Sequence, residues 1–327
     1  MKAIRQVAFG DPDVLRFEEL DDPVPGDGQV RVDVRAAGVH LVDTSIRRGT
    51  SFGAFPAPEL PFVPGREVAG VVDALGPGTD PTWLGRRVVA HLGLASGGYA
   101  SAAVADTTAL FPLPAHVVDV EAVAMVGTGR TTLGILDVAE PREGDVALDT
   151  GPAGGVGGLL IRALRHAGAT VVAVASGPVK TAGARDLGAD VVVDATVDGW
   201  PEQVRTALDG RMITLALDGV GGATGRVAFE LVGVGGRMVM FGYASGEPMP
   251  LAADDLYRTG VTVSAAIGPR LFQLAGGIHA LAERALAELA AGRLTPVVHP
   301  PLALADAAEA HRAFEARATV GKVVLVP

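Results

Sequence analysis

The feature that most constrains the fold is an alternation of strand-like and helix-like segments that begins near Val118. DVALD (145–149) precedes a glycine cluster and then GLLIRALRHAG, while TVVAVA (170–175) is a continuous apolar run followed by the helical KTAGARDLGA. DVVVD, ITLALDGVG, GRMVMFG and VTVSAAIG are further strand-like runs. Parallel strands joined by crossover helices produce this pattern. We therefore predict an α/β protein with a doubly wound parallel sheet.

The residues up to about Pro114 have a different texture and indicate β-structure broken by turns. In QVRVDVRAAGV, the apolar Val30, Val32 and Val34 alternate with charged residues, which is the period of a strand with one buried face. PAPELPFVPG is expected to be loop, because proline lacks the backbone donor of a sheet. The last helices and the strand KVVLVP do not continue the alternation, so we expect them to return to this first β-rich unit.

Composition excludes several classes of function. The chain of 327 residues has no cysteine, which rules out disulfides, thiolate metal sites and a cysteine nucleophile. Its formal net charge of -10 opposes nucleic-acid binding. No apolar stretch approaches the roughly 20 residues that span a bilayer, and the first residues lack a signal-peptide core. We expect a cytoplasmic protein without membrane or nucleic-acid partners.

The strongest chemical motif is D-T-G-P-A-G-G-V-G at 149–157, between a predicted strand and a predicted helix. Such a turn offers backbone N–H groups and a helix N-terminus to a pyrophosphate. Pro152 stands where the first glycine of the usual G-x-G-x-x-G pattern belongs. A plain tight turn is the alternative, but the strand-turn-helix setting favours a dinucleotide site.

The end of the second strand predicts which dinucleotide binds. About twenty residues beyond the glycine turn, an NAD site places Asp or Glu against the ribose 2′-hydroxyl. Here Ser176 and Gly177 follow the strand, and Lys180 comes one turn later. Lys180 is one of only three lysines, although a solvated helix residue is its other interpretation. A hydroxyl and a cation suit a 2′-phosphate, so we predict NADPH as the cofactor.

Several motifs together resemble the zinc-independent, quinone oxidoreductase branch of the medium-chain dehydrogenase/reductases. They are GDGQVRVDVRAAGVHLVDTSIRRG, FVPGREVAGVVDALGPG, GPAGGVG, LGADVVVD, ALDGVGG, RMVMFGYASG and RATVGKVVLVP. The resemblance implies a GroES-like catalytic domain (1–121 and 268–327), a Rossmann domain (122–267), an active site in the cleft between them, and a homodimer.

The resemblance also implies the cofactor-binding residues, motif by motif. They lie in the pyrophosphate loop, at the 2′-phosphate, along the nicotinamide ribose, in the segment closing over the cofactor and at a C-terminal basic position. The positions are Thr131, Gly154, Gly155, Val156, Ser176, Lys180, Val220, Phe241, Gly242, Tyr243, Ala266, Ile267 and Lys322.

Departures from the family pattern argue against zinc. His40 stands where quinone reductases usually have Asn and zinc relatives have a Cys ligand, and Arg66 replaces the usual His of GREVAG. Zinc needs three or more protein ligands, and Glu67 with His40 supplies two. We therefore expect no metal.

A second departure concerns proton transfer. Ser45 occupies a position where many relatives carry a tyrosine that offers a proton. His40 is a substitute acid because imidazole titrates near neutrality, and a hydrogen-bonded structural histidine is the equal alternative. We name four candidate catalytic donors: His40, Ser45, Arg66 and Thr128.

Without a metal, the electrophile has to be polarised already, as in a quinone or an enone. We therefore predict an NADPH-dependent oxidoreductase that transfers hydride to a quinone or related conjugated carbonyl. The first alternative is an enoyl or alkenal reductase acting on C=C bonds, and the second is a non-catalytic NADPH-binding sensor.

Overall fold

The computed structural model describes residues 1–50, 57–274 and 276–327. Two compact units form: Met1–Gly129 with Ala282–Pro327, and Arg130–Leu281. Both ends of the chain therefore belong to the first unit. The predicted domain boundaries, 121/122 and 267/268, stay predictions.

Within the described residues the strands are β1 (Lys2–Gln6), β2 (Leu15–Glu19), β3 (Gln29–Val39), β4 (Glu67–Leu75), β5 (Arg87–His91), β6 (Ala102–Asp106), β7 (Leu110–Pro112), β8 (Val146–Asp149), β9 (Thr170–Ala175), β10 (Val191–Asp194), β11 (Ile213–Asp218), β12 (Val232–Met240), β13 (Thr262–Ala265), β14 (Leu302–Ala303) and β15 (Val323–Val326). The α-helices there are α1 (Leu41–Arg47), α2 (Asp119–Ala124), α3 (Arg130–Ala139), α4 (Gly155–His166), α5 (Pro178–Asp186), α6 (Trp200–Leu208), α7 (Gly222–Leu231), α8 (Ala253–Thr259), α9 (Pro269–Phe272), α10 (Gly277–Ala290) and α11 (Ala307–Glu315). No helix in these ranges combines the length and apolar character needed to cross a membrane.

The first unit is built on a seven-stranded sheet. Its order is β14-β15-β3-β4-β5-β7, with β6 also paired to β3, and every pair except β14 with β15 is antiparallel. The predicted alternation in β3 is confirmed, because Val30, Val32 and Val34 are buried. The last four residues of β3 are buried on both faces, and α2 packs against this strand. Strand β3 thus has one buried face at its start and two buried faces at its end, next to His40.

One helix in this unit was missed by the β-rich interpretation of the sequence. Helix α1 has only seven residues and contains the β-branched Val42, Thr44 and Ile46, so its local pattern is weak. Tertiary contacts hold it instead: the Arg47 guanidinium is buried, donates from Nε to the Gly10 carbonyl at 3.0 Å and pairs with Glu315. The sequence gives little local sign of these distant partners.

The second unit contains a six-stranded, all-parallel sheet of order β10-β9-β8-β11-β12-β13. In chain order this is 3-2-1-4-5-6, the strand order of the Rossmann fold. Val146 and Leu148 of β8 join one hydrophobic cluster, while Ala147 joins another. Since alternate residues of one strand point to opposite faces, both faces are packed. The predicted doubly wound α/β sheet is confirmed.

Candidate active site and cofactor edge

The glycine-rich turn closes tightly between β8 and α4. Gly154 is the N-cap of α4, and the N–H of Gly151 donates to Oδ1 of Asp149 at 2.8 Å. A Cβ on Gly157 would lie 2.0 Å from the Gly151 carbonyl oxygen, so the helix approaches the turn only because this residue is glycine. The predicted residues Gly154, Gly155 and Val156 thus form the start of a helix at the carboxyl edge of the sheet. This arrangement suits an anionic ligand.

The end of β9 carries the residues predicted to select the cofactor. Ser176 and Gly177 lead into α5, Gly177 has a φ of +81°, and Lys180 lies in the first turn of α5. The neighbouring Asp194 accepts hydrogen bonds from the N–H of Gly177 and from Thr196, and these bonds lower its pKa. The Asp194 carboxylate is thus occupied in holding the backbone of this turn.

The remaining cofactor predictions fall at the ends of the next three strands. Val220 follows β11, Phe241 to Tyr243 follow β12, and Ala266 and Ile267 follow β13. The turns after β11 and β12 bind each other, since the N–H of Ser245 donates to the Val220 carbonyl at 2.8 Å. Because carboxyl ends of parallel strands meet at one edge, the structure brings these residues to the edge that carries the glycine turn. Thr131 lies apart from them in sequence, in the first turn of α3.

A pair of buried carboxyl groups under this edge was missed by the sequence analysis. Asp149 ends β8 and Asp218 ends the adjacent β11, and both are buried. The hydroxyl of Thr150 donates to Asp218 at 2.7 Å, whereas Oδ2 of Asp149 has no hydrogen-bond partner among the described residues. Burial, with a contribution from the Asp218 charge, raises the pKa of Asp149 to about 7 against the opposing effect of the Gly151 N–H.

In the first unit, a second cluster forms around Glu67. Glu67 begins β4 opposite Gly38 of β3, His40 follows β3, and Lys322 precedes β15, which pairs with β3. Oε1 of Glu67 lies 2.7 Å from Nε2 of His40, and Oε2 lies 2.7 Å from Nζ of Lys322. Nζ of Lys322 is also 3.0 Å from Nε2 of His40. Three adjacent strand ends thus bring a carboxylate, an ammonium and an imidazole into contact.

Two glycines make room for the Glu67 carboxylate. A Cβ on Gly38 would lie 2.2 Å from Oε2, and a Cβ on Gly127 would lie 1.6 Å from Oε1. Gly127 belongs to a π-helical turn, Met125–Gly129, which also contains the predicted Thr128. Such turns are rare in helices and are frequent at functional sites. The carboxylate is therefore confined between two backbone segments.

Electrostatics in this cluster are set by burial and by the titratable groups in contact with one another. Burial alone raises the pKa of Glu67, but His40 and Lys322 outweigh it, and the pKa lies well below its ordinary value. Burial also lowers the pKa of His40, with Lys322 acting in the same direction and Glu67 in the opposite one. Glu67 is completely buried, whereas 21% of the His40 side chain is exposed. His40 is thus the member of the cluster that a ligand can reach.

A buried polar network adjoins His40 through Asp43. The carboxylate of Asp43 accepts from the His40 backbone N–H at 2.8 Å and from the Tyr99 hydroxyl at 2.9 Å. Nε2 of His311 lies 3.3 Å from that hydroxyl, and burial lowers the pKa of His311 to about 4. The side chain of His311 is wholly buried. Its partner Tyr99 lies far away in the sequence, so no local motif predicts this contact.

The other predicted catalytic residues have distinct places in this unit. Nε of Arg66 lies 3.7 Å from Oδ1 of Asp43, Ser45 lies in α1, and Thr128 is buried in the π-helical turn. The structure therefore brings both His40 and Arg66 next to Asp43, in the first turn of α1. Their catalytic roles stay predictions.

The comparisons with known proteins agree with this architecture. A Rossmann sheet and a β-rich unit made from both chain ends define the class of the medium-chain dehydrogenase/reductases. Residues 26–115 match the family described as "Alcohol dehydrogenase GroES-like domain", and residues 155–286 match "Zinc-binding dehydrogenase".

Proteins with similar sequences show to which family within this class the chain belongs. The chain is 31% identical to a quinone oxidoreductase of Pseudomonas aeruginosa over 100% of this chain and 99% of the relative. It is 30% identical to a 2-haloacrylate reductase of a Burkholderia species over 97% of this chain and 96% of the relative. The chain belongs to the quinone oxidoreductase family.

Solved structures with similar folds differ in their cofactors. A mycobacterial protein complexed with NADPH has a TM-score of 0.85 and 34% identity, with 100% of both chains covered. A protein described as an NAD-dependent alcohol dehydrogenase has a TM-score of 0.89 and 29% identity, also with 100% of both chains covered. The first agrees with the cofactor predicted from Ser176 and Lys180.

Proposed function

We propose that this protein is an NADPH-dependent quinone oxidoreductase that works without a catalytic metal. The observation that carries the proposal is the Lys322 ammonium, 2.7 Å from Glu67 and 3.0 Å from His40. A zinc ion bound by these two residues would lie about 2 Å from each donor atom, in space beside the ammonium and under its repulsion. The chain has no cysteine to complete a zinc site.

A site without a Lewis acid suits substrates that are already electrophilic. Simple alcohols and ketones need polarisation by a metal or a strong donor, whereas a quinone delocalises the incoming charge over its own oxygens. NADPH, when bound, supplies the hydride. Hydride transfer gives a hydroquinone monoanion that takes one proton from solvent, so that one quinone, one NADPH and one proton give one hydroquinone and NADP⁺. Reduction of a quinone therefore needs less hydrogen-bond donation from this chain than reduction of a simple ketone.

The residues of the sheet edge fit NADPH. The first turn of α4 offers N–H groups to the pyrophosphate, and the absence of a carboxylate directly after β9 avoids repulsion of a 2′-phosphate. Ser176 and Lys180 are the proposed partners of that phosphate. His40, Ser45, Arg66 and Thr128 remain the proposed groups at the substrate oxygen.

A substrate panel tests the proposal. Purified protein is mixed with NADPH and either an ortho-quinone or an α,β-unsaturated carbonyl, and nicotinamide oxidation is followed together with product identity. We expect hydroquinone formation at a rate well above that of enone reduction. Binding of NADPH without turnover of any substrate would instead identify a sensor.

Reduction of C=C bonds is the second candidate, and the 2-haloacrylate reductase relative favours it. This reaction needs a proton at the carbon next to the carbonyl, and Ser45 stands where relatives offer a tyrosine. A saturated carbonyl product, formed faster than any hydroquinone, would select this candidate. A homodimer and a cytoplasmic location complete the proposal, and sedimentation velocity tests the first of these.

A further inference from the structure

One nitrogen of His40 contacts two groups with opposite hydrogen-bonding roles. Nε2 lies 2.7 Å from a carboxylate oxygen of Glu67, which accepts hydrogen bonds, and 3.0 Å from the ammonium of Lys322, which donates them. A neutral imidazole nitrogen is either a donor or an acceptor. The cluster therefore determines where the single proton of neutral His40 resides.

The contact with Glu67 decides the position of the proton. If Nε2 carried a lone pair, it would face a buried anionic oxygen at 2.7 Å, with repulsion that the low-dielectric interior strengthens. A proton on Nε2 turns the same contact into a short charge-assisted hydrogen bond. Lys322 is already satisfied by Oε2 of Glu67 at 2.7 Å, so it does not need Nε2 as an acceptor.

We propose that Glu67 and Lys322 are positioning residues that hold His40 as the neutral Nε2–H tautomer, so that Nδ1 accepts a hydrogen bond from a ligand hydroxyl. Glu67 fixes the proton, and Lys322 fixes Glu67 and balances its charge, which keeps a second proton off the ring. The identity of the ligand in this inference rests on the proposed function. Under that function, the hydroxyl that binds Nδ1 belongs to the hydroquinone product. The inference also changes the role predicted for His40 from the sequence. His40 then accepts a hydrogen bond from the ligand and does not donate one to an oxyanion.

The other charged groups near the ring act weakly or through Glu67. Asp43 accepts from the His40 backbone, and its charge opposes that of Lys322 at the ring. His91 pairs with Glu67 across β4 and β5, and its charge acts on that carboxylate. Arg66 lies against Asp43 and reduces its influence. Among the charged groups that the structure describes near the ring, Glu67 and Lys322 are the two in direct contact with Nε2.

Nuclear magnetic resonance of the full chain labelled with ¹⁵N-histidine tests the tautomer directly. The chain has seven histidines, and His40→Gln identifies the His40 signals by their loss. In the protein without NADPH or substrate at neutral pH, we expect a protonated Nε2 and an unprotonated Nδ1. A protonated Nδ1 with an unprotonated Nε2, or an imidazolium, would overturn the proposal. The tautomer is measured without turnover. An inactive protein would therefore contradict the proposed function without changing the result for the tautomer.

Variants at Lys322 test whether its charge keeps His40 neutral. Lys322→Met leaves Glu67 without its counter-charge, and we expect His40 to change from neutral imidazole to imidazolium at the same pH. Lys322→Arg retains the charge and is expected to preserve the wild-type tautomer. If Lys322→Met does not fold, Lys322→Gln removes the charge while keeping a donor for Glu67. A neutral His40 in the folded uncharged variant would overturn the role of Lys322.

Discussion

The ammonium Nζ of Lys322 lies 2.7 Å from Oε2 of Glu67, and both side chains are buried. Burying two charges is unfavourable by itself, and removal of one partner from such a pair typically costs about 3–5 kcal/mol because the other is left uncompensated. The pair therefore persists as a unit. Its position against His40 links the architecture of the first unit to the proposed metal-free chemistry.

The space around Glu67 gives the first prediction. Gly127→Ala places a Cβ 1.6 Å from Oε1 of Glu67, so either the π-helical turn or the carboxylate has to move. We expect a loss of about 3 kcal/mol in the free energy of unfolding, measured in urea. The matched control is Gly183→Ala in α5, where nothing lies within 4 Å of the added Cβ and a gain of about 0.5–1 kcal/mol is expected. Equal stability of the two variants would contradict this description of the site.

The Tyr99 hydroxyl gives the second prediction. Tyr99→Phe removes a donor from buried Asp43 and leaves Nε2 of His311 without its partner. Unsatisfied buried groups of this kind cost about 1–3 kcal/mol each, so the melting temperature should fall by several degrees. Tyr257→Phe is the control, because Tyr257 is 88% exposed and its hydroxyl should not matter. A fall of the same size in both variants would count against the network.

The third prediction concerns the pH dependence of stability. Asp149 has a pKa of about 7 in the fold and an ordinary value near 4 in the unfolded chain. The folded state therefore binds this proton more tightly, so the contribution of Asp149 to stability is complete below about pH 4 and is lost as the pH rises to about 7.

Asp149→Asn removes this dependence while keeping an acceptor for the Gly151 N–H. Relative to wild type, the free energy of unfolding should rise with pH and level off above pH 7, with a total change of about 4 kcal/mol. Urea titrations between pH 4 and pH 8 measure the difference. The exposed Asp27→Asn serves as the control and should follow the wild type. A constant difference for Asp149→Asn across this range would refute the assignment.

Cofactor choice gives the fourth prediction. Lys180→Met removes a cation from the first turn of α5, and we expect the KM for NADPH to rise about tenfold with little change for NADH. Ser176→Asp introduces the carboxylate typical of NAD sites and should reverse the preference. Lys2→Met, at an exposed position, controls for loss of charge alone. Identical effects on both cofactors would place the 2′-phosphate elsewhere.

Local sequence patterns predicted much of the fold. The alternation in β3, the continuous apolar run of β9 and the glycine turn before α4 each reflect burial or backbone geometry within a few residues. The two-faced packing of the parallel sheet follows from the same runs. The break in the strand-helix alternation near the C-terminus is what led us to expect the last strand in the first unit.

The Glu67 cluster and the Tyr99 network could not be predicted in this way. Lys322 meets Glu67 only because β15 pairs with β3 and β3 pairs with β4. Periodicity reports whether a position is buried but not which distant side chain it meets. His311 shows this, since nothing near it in sequence indicates Tyr99 as its partner. The raised pKa of Asp149 likewise depends on a neighbouring strand.

The most direct test of the central claim is the initial rate of NADPH oxidation with an ortho-quinone, measured on protein that has been treated with a metal chelator and dialysed. We predict rapid oxidation with hydroquinone as the product, no increase when zinc is added back, and a much lower rate with NADH. Activity that disappears after chelation and returns with zinc would contradict a site in which Lys322 takes the place of a metal.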